Sequence, residues 1–197
     1  MIFRNLMQTV SKQIDYDIFA FYLTFAWQKT YFCSPVFRSV FRRKTMENKQ
    51  KAGRYDRIYE QLTELLVKSN NPVSEMATIS ALLHHKMKFF WTGFYLLQDG
   101  KLQVGPYQGS LACIDLKKDT GVCWAGINRA ETVVVADVHA FDGHIACDGR
   151  SKSEIVVPVF SRENKIVAVL DIDSDQLNTF DNTDAEWLQK IVKLIDA

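Results

Sequence analysis

Apolar residues recur at helical spacing near both ends of the chain after residue 45. A first amphipathic helix over 53–69 is predicted by the i, i+4, i+7, i+8 series Ile58, Leu62, Leu65 and Leu66. After the stop signal Asn70-Asn71-Pro72, a second helix opens near Ser74, with a predicted buried stripe of Met76, Ile79, Leu82 and Leu83. A final helix follows a capping region at Asp181–Glu186, and its apolar face carries Trp187, Ile191, Leu194 and Ile195.

Between these helices the pattern changes to short β-branched and aromatic runs bounded by turn residues. The runs predict six strands: Phe89–Leu97, Lys101–Tyr107, Leu111–Leu116, Thr132–Ala136, Glu154–Phe160 and Ile166–Asp173. Asp99-Gly100 is a hairpin signal, a short helix is predicted over Val122–Arg129, and a polar loop over 137–152 holds His139 and His144. The order α-α-β-β-β-α-β-β-β-α indicates an α+β domain with an antiparallel sheet.

Composition divides the 197 residues at about position 45. Residues 1–45 lack glycine, hold seven of the thirteen phenylalanines and carry a net charge of +5, whereas the whole chain is +1. We therefore predict an atypical N-terminal extension over 1–45 and a domain over 46–197. The extension is a helical addition, a targeting segment, or a start-site artefact with translation beginning at Met46. Its apolar run Ile18–Trp27 is too short to span a bilayer.

Charge and motifs exclude several functional classes. A net charge of +1 argues against a protein that binds nucleic acid by broad phosphate neutralisation, and the chain has no glycine-rich phosphate loop. The four cysteines (Cys33, Cys113, Cys123 and Cys147) form no C-x-x-C pair, which disfavours zinc ribbons and thioredoxin-like motifs. Free thiols in a cytoplasmic protein are the default expectation, either as inert core residues or as reactive ones.

One strand carries an unusual pair of acids. Strand alternation places Asp171 and Asp173 on one face and Leu170 and Ile172 on the other. The two carboxylates either lie at a solvent-facing strand end or line a pocket that captures an ammonium group or keeps a carboxyl protonated. A zinc site is the other alternative for the cysteines and histidines, but its potential ligands fit no compact zinc pattern, so no metal is predicted; they are Cys113, Cys123, His139, His144 and Cys147.

A set of short motifs resembles a known family. In chain order they are Trp91-Thr92-Gly93-Phe94-Tyr95, Gly105–Gly109, Ala112-Cys113, Gly121-Val122-Cys123, Asp137-Val138-His139, Phe141–Asp148, Ser153–Pro158 and Leu170–Ser174. Over residues 54–196 the chain is similar to the free methionine-(R)-sulfoxide reductases, a stand-alone branch of the GAF-domain family. The resemblance does not extend to residues 1–45.

The resemblance implies a GAF-like fold, in which a six-stranded antiparallel sheet is flanked by N- and C-terminal helices. It also implies reduction of free L-methionine (R)-sulfoxide to methionine in the cytoplasm, with thioredoxin as the reductant. The thiol chemistry proceeds through a sulfenic acid and a disulfide and requires no metal or organic cofactor. No nucleic acid or membrane partner is expected for 46–197, and a homodimer is one open option.

The same resemblance assigns roles to residues. Cys147 is the attacking thiol, Cys113 is the resolving thiol, and Cys123 has an auxiliary or alternative role. Local physics leaves the attacker open, because the first turn of a helix lowers a thiol pKa at Cys123 while Asp148 raises that of Cys147. The implied substrate-binding residues are the aromatics Trp91 and Tyr95 and the carboxylates Glu154, Asp171 and Asp173.

Two alternatives to the enzyme remain. A non-catalytic GAF module would bind a small ligand and signal, and it is usually fused to an output domain. A thiol redox sensor would form a disulfide with peroxide without consuming methionine sulfoxide catalytically.

Overall fold

The structure, a computed structural model, describes the backbone of residues 35–144 and 147–196, and side chains from Met46 onward within those ranges. Backbone contacts divide the chain into two units, Met1–Lys49 and Gln50–Ala197, and the sheet lies wholly in the second. The run Ile18–Trp27 and Cys33 lie outside the described residues. Within the described ranges, no helix has both the length and the apolarity needed to cross a bilayer.

Four α-helices and six strands make up the described fold. The helices are α1 (Pro35–Leu66), α2 (Pro72–Met87), α3 (Gly121–Arg129) and α4 (Asn182–Val192). The strands are β1 (Trp91–Gln98), β2 (Lys101–Gln108), β3 (Asp115–Leu116), β4 (Val133–Val135), β5 (Ser153–Phe160) and β6 (Ile166–Ser174). All strand pairs are antiparallel, in the order β3-β2-β1-β6-β5-β4. The predicted six-stranded α+β architecture is confirmed.

Both long N-terminal helices begin earlier than the hydrophobic pattern predicts. Helix α1 begins at Pro35 rather than 53, because the polar run 42–51 contains many good helix formers but no apolar stripe that would extend the predicted helix toward the N-terminus. Helix α2 begins at Pro72 rather than near Ser74, because the Asn71 side chain accepts hydrogen bonds from the next backbone N–H groups and caps it. At α4, Asp181 and Asp184 form the predicted cap as a reciprocal capping box.

The third strand is shorter than predicted. The expected strand Leu111–Leu116 reduces to Asp115–Leu116, which pairs with β2. The preceding carbonyl groups have other partners: the Ser110 carbonyl accepts from Trp91 Nε1 at 3.2 Å, and the Cys113 carbonyl accepts from the Tyr95 hydroxyl at 3.3 Å. Aromatic side chains of β1 therefore hold residues 110–113 as a loop above the sheet.

Each face of the sheet covers its own apolar core. On one face, α1, α2 and α4 pack against the alternate residues of β1, β5 and β6 that point to that side, including Leu170 and Ile172. On the other face α3 packs against Val156 and Val169, but this layer also contains the aromatic residues Trp91 and Tyr95. Asp171 lies among these strands on the α3 side, so the predicted alternation of β6 is confirmed. The α3 side of the sheet therefore combines an apolar layer with buried acidic side chains.

Candidate active site

A cavity of about 590 Å³, including its open mouth, lies between α3, the central strands and the two cysteine-bearing loops. Seven of the eight predicted site residues line it: Trp91, Tyr95, Cys123, Cys147, Glu154, Asp171 and Asp173. The eighth, Cys113, is joined to Cys147. The acidic residues Asp137 and Asp142 and the side chain of His139 are not among its lining residues, whereas His144 is.

Cys113 and Cys147 form a disulfide, with their Cα atoms 5.6 Å apart, a usual separation for such a bond. The bond joins the loop after β2 to the loop before β5. A second link lies beside it, where the Ser110 hydroxyl donates to Asp148 Oδ2 at 2.8 Å. The two loops are therefore fastened together at the mouth of the cavity.

The charge of Asp148 is paired. Its carboxylate accepts from Arg150 Nε at 3.0 Å and Nη2 at 2.7 Å, and the guanidinium lies 4.8 Å over the Phe90 ring. The hydrogen bonds from Arg150 hold the pKa of Asp148 well below its usual range. The guanidinium of Arg150 therefore offsets the negative charge that Asp148 places next to Cys147.

Three carboxylates converge on the cavity floor because of strand register. Glu154 on β5 lies opposite Asp173 on β6, and Asp171 lies two residues further along the same strand. Glu154 is 5% exposed and Asp171 is 6% exposed. Burial raises the pKa of Glu154 well above its usual range, and the charges of Asp171 and Asp173 raise it further.

The two β6 carboxyls are also shifted toward their protonated forms. Burial raises the pKa of Asp171 well above its usual range, and Asp173 adds to the effect. Burial also raises the pKa of Asp173 to about 6, against a hydrogen bond from Ser151 that favours the charged form. Oδ1 of Asp171 is buried without a hydrogen-bond partner among the described residues. The floor can therefore hold protons and still has an unused acceptor.

His144 lies against this cluster without forming an ion pair. Its Nε2 atom is 3.7 Å from Oε2 of Glu154. Burial lowers the pKa of His144, while it raises that of Glu154, so both groups favour their neutral forms. Sequence reasoning considered His144 only as a zinc ligand beside cysteines, and it missed this contact with a carboxyl.

The prediction for the Cys123 thiol was wrong in sign. Cys123 does lie in the first turn of α3, but it is 4% exposed and faces the carboxylates. Burial raises the pKa of Cys123 well above its usual range, and the charges of Asp171 and Glu154 add to the shift. Desolvation and like charge therefore outweigh the helix N-terminus.

An aromatic wall lies beside the acidic floor, on the neighbouring strand β1. The Trp91 ring stacks on Tyr107 at a centroid distance of 5.4 Å and on Tyr95 at 6.0 Å. Gly93 lies between Trp91 and Tyr95 on β1 and leaves room for this arrangement. A Cβ atom at Gly93 would lie 2.5 Å from Cη2 of Trp91 and closer still to Tyr107.

Sequence reasoning did not select Ser110 or Ser151 as site residues. Both line the cavity, Ser110 binds Asp148, and Ser151 donates to Asp173. Small hydroxyl residues in loops carry no periodic signal. In the sequence, the only indication that Ser110 and Ser151 belong to the site is that they lie next to the motifs Gly105–Gly109 and Ser153–Pro158.

Comparisons with known proteins agree with this geometry. The family model described as "GAF domain" matches residues 73–196. The chain is 42% identical over 147 residues to "GAF domain-containing protein A" of Dictyostelium discoideum, covering 74% of this chain and 92% of that protein. It is 42% identical over 125 residues to "Free methionine-R-sulfoxide reductase" of Escherichia coli, covering 63% of this chain and 75% of that protein.

A solved structure of a free methionine-R-sulfoxide reductase from Neisseria meningitidis, in complex with its substrate, superposes with a TM-score of 0.71. It is 38% identical and covers 74% of this chain and 88% of that chain. The chain therefore belongs to the GAF-domain family, on the branch that includes the free methionine-R-sulfoxide reductases.

Proposed function

We propose that this protein reduces free L-methionine (R)-sulfoxide to L-methionine by thiol chemistry. The observation that carries the proposal is one cavity that combines a cysteine pair, a floor of proton-holding carboxyls and an aromatic wall. The 42% identity to the E. coli reductase adds independent support. Neither a metal nor an organic cofactor has a part in this chemistry.

The carboxylates hold the substrate ammonium. Asp171 Oδ1 has no partner in the described residues, and Asp173 is the least buried of the three acids. A cation placed between Asp171 and Asp173 satisfies the orphan acceptor and relieves their repulsion. A peptide-bound sulfoxide lacks this ammonium, because its nitrogen is an amide, so the site prefers the free amino acid.

The aromatic wall receives the methylthio end. Trp91 and Tyr95 are 5% and 2% exposed, and hydrogen bonds to the loop carbonyls fix both rings. Sulfur contacts with aromatic rings are favourable by about 0.3–1.5 kcal/mol. The wall thus orients the sulfoxide sulfur toward Cys147.

In the chemical step, Cys147 Sγ attacks the sulfoxide sulfur. Glu154, kept protonated by burial, protonates the sulfoxide oxygen and weakens the S–O bond. Oxygen ends on Cys147 as a sulfenic acid, and methionine leaves reduced by two electrons. Cys147 is the proposed attacker because it lines the cavity, whereas Cys113 is not among the lining residues.

Resolution and reset follow from the cysteine pair. The Cys113 thiol displaces the sulfenic oxygen of Cys147 as water and forms the disulfide, and a dithiol such as that of thioredoxin then reduces it. The disulfide lies beside two exposed apolar side chains, Leu111 at 84% and Ile114 at 71% exposure, which offer a docking surface for the reductant. A reducing compartment such as the cytoplasm suits this cycle, and a homodimer remains compatible with it.

Cys123 has an auxiliary role in this proposal. Its buried, protonated thiol is a poor nucleophile, and its Sγ lies within 4.8 Å of a carboxylate oxygen of Asp171 and of Glu154. Its hydrogen bond to Asp171 favours the charged form of that carboxyl, against the effect of burial. A ligand-binding module or a peroxide sensor remains the alternative if no turnover occurs.

Multiple turnover separates the enzyme from both alternatives. The full chain is incubated with free methionine (R)-sulfoxide, thioredoxin, thioredoxin reductase and NADPH, and methionine is quantified. We expect many equivalents of methionine per protein, and none from Cys147→Ser. A wild-type protein that forms the disulfide with peroxide but releases no methionine would be a sensor.

A further inference from the structure

Part of the cavity floor also has the composition of a metal site. Cys123 Sγ, a Glu154 carboxylate oxygen and an Asp171 carboxylate oxygen all lie within 4.8 Å of one another. Thiolate and carboxylate ligands together suit a borderline-soft divalent cation such as Zn²⁺ or Cd²⁺. This set differs from the cysteine and histidine set considered from the sequence.

The cluster is already built for a ligand. Its three residues are at least nine-tenths buried, with exposures of 4% for Cys123, 5% for Glu154 and 6% for Asp171. Asp171 Oδ1 has no hydrogen-bond partner in the described part of the chain, although a buried acceptor without a partner is costly. A bound cation would satisfy it.

The geometry requires only a small contraction. Tetrahedral zinc, with ligand bonds of about 2.0–2.3 Å, places neighbouring ligand atoms about 3.5 Å apart. Separations up to 4.8 Å close to that distance with side-chain movements of about 1 Å. Rotation of the carboxylates supplies such movement without a change in the strands.

A fourth ligand is available nearby. His144 Nε2 lies 3.7 Å from Oε2 of Glu154, and the His144 side chain is 12% exposed. Neutral imidazole is a common zinc ligand. A water from the cavity is the other candidate for this position.

We propose that the floor of the cavity is a binding site for a thiophilic divalent cation, held by Cys123, Glu154 and Asp171 with His144 as the fourth ligand. The three anionic ligands exceed the charge of the cation by one. The Cys113–Cys147 disulfide supplies no ligand, so the site exists in the oxidised protein.

The consequence for catalysis rests on the proposed function. A cation in this position occupies the carboxyls that hold the ammonium and protonate the sulfoxide. Zn²⁺ should therefore act as a competitive, chelator-reversible inhibitor.

Cd²⁺ spectroscopy tests the site without any turnover. The full chain carrying Cys33→Ser is oxidised, so that Cys123 is the single remaining thiol of the four cysteines. We expect titration with CdCl₂ to produce a thiolate-to-cadmium ultraviolet band that saturates at one equivalent. ZnCl₂ should displace the band. Circular dichroism checks the fold of each variant.

Matched variants assign the ligands. Cys123→Ser should remove the band, and Asp171→Asn or Glu154→Gln, which keep the thiol, should each weaken Cd²⁺ binding at least about tenfold. Asp142→Asn, an exposed acid outside the cavity, should bind as the parent does. Absence of the band in the parent, or unchanged affinity in both carboxyl variants, overturns the proposal, whether or not the protein reduces methionine sulfoxide.

Discussion

The cysteines occupy two different chemical environments. Cys147 and Cys113 lie at the cavity mouth, where they are accessible and joined, whereas Cys123 is buried among carboxyls that oppose its ionisation. Thiol reactivity follows thiolate character and access. The proposed division of roles among the three thiols therefore rests on their different positions.

Single-turnover chemistry separates these roles. Without external reductant, Cys147→Ser should release no methionine, because only the attacker meets the substrate. Cys113→Ser should release about one methionine per enzyme and then stall with a sulfenic acid at Cys147 that a sulfenic-acid probe traps. Methionine is quantified by chromatography, with Cys33→Ser as the control that should match wild type. A burst that survives in Cys147→Ser but disappears in Cys123→Ser would reassign the attacker.

Asp173 makes stability depend on pH. Its pKa is about 6 in the folded protein and 3.8 for the free side chain, so the folded state keeps the proton to higher pH. The stability from this group is present in full below pH 4 and is lost as pH rises through 6. Asp173→Asn should therefore raise the melting temperature by about 2–4 °C at pH 7.5 and by less at pH 4.5.

Thermal melting followed by circular dichroism measures this difference. The exposed Asp142→Asn serves as the control and should change the melting temperature little at either pH. A lower melting temperature for Asp173→Asn at pH 7.5 would show that the carboxylate stabilises the fold.

At the scale of elements, the strand register places the site. Trp91 on β1 lies opposite Asp173 on β6, and Gly93 lies opposite Asp171. The aromatic wall and the acidic floor are therefore neighbours across a single strand pair. Gly93 permits this closeness, because Trp91 and Tyr107 occupy the space above it.

A methyl group at Gly93 should disrupt this arrangement. We expect Gly93→Ala to lower the free energy of unfolding by about 1–3 kcal/mol through overpacking and to raise KM by displacing the Trp91 ring. Gly149→Ala is the matched control, because a Cβ atom there has nothing within 4 Å. Urea unfolding and steady-state kinetics provide the measurements, and equal behaviour of the two variants would contradict the packing argument.

Periodicity predicted those parts of the site that local pattern determines. The alternation of Asp171 and Asp173, the Asp99-Gly100 hairpin and the succession of strands along the chain all follow from local chemistry, whereas the pairing of β1 with β6 does not. The burial of Cys123 depends instead on the packing of α3 against β5 and β6, which lie far from it in sequence. The Ser110–Asp148 link likewise joins loops 38 residues apart, so no local pattern indicates it.

At the scale of the whole molecule, the part of α1 that follows residue 49 makes its own hydrogen bonds to the rest of the sheet unit. Lys51 Nζ donates to Asp184 Oδ2 at 2.6 Å and to the Thr179 carbonyl at 3.1 Å, and the Tyr55 hydroxyl donates to Asp184 Oδ1 at 2.8 Å. Ile58 and Leu62 of α1 are buried in the same unit. All these residues follow Met46.

Removal of residues 1–45 should therefore preserve the domain. We expect a chain that begins at Met46 to match the full-length protein in activity and in melting temperature, as the start-site hypothesis requires. As a control, a chain that begins after Tyr55 loses the Asp184 anchors and should melt lower. Unfolding or aggregation of the Met46 chain would show that the extension is structural.

Substrate selectivity tests the central claim most directly. Rates are measured with thioredoxin recycling for the R and S epimers of free methionine sulfoxide and for a peptide containing methionine (R)-sulfoxide. The acidic floor requires an unblocked ammonium, which excludes the peptide, and the similarity to the free methionine-R-sulfoxide reductases implies the R configuration at sulfur. The account therefore predicts turnover of the free R epimer alone. Equal turnover of the peptide-bound sulfoxide, or no turnover of the free R epimer, would contradict it.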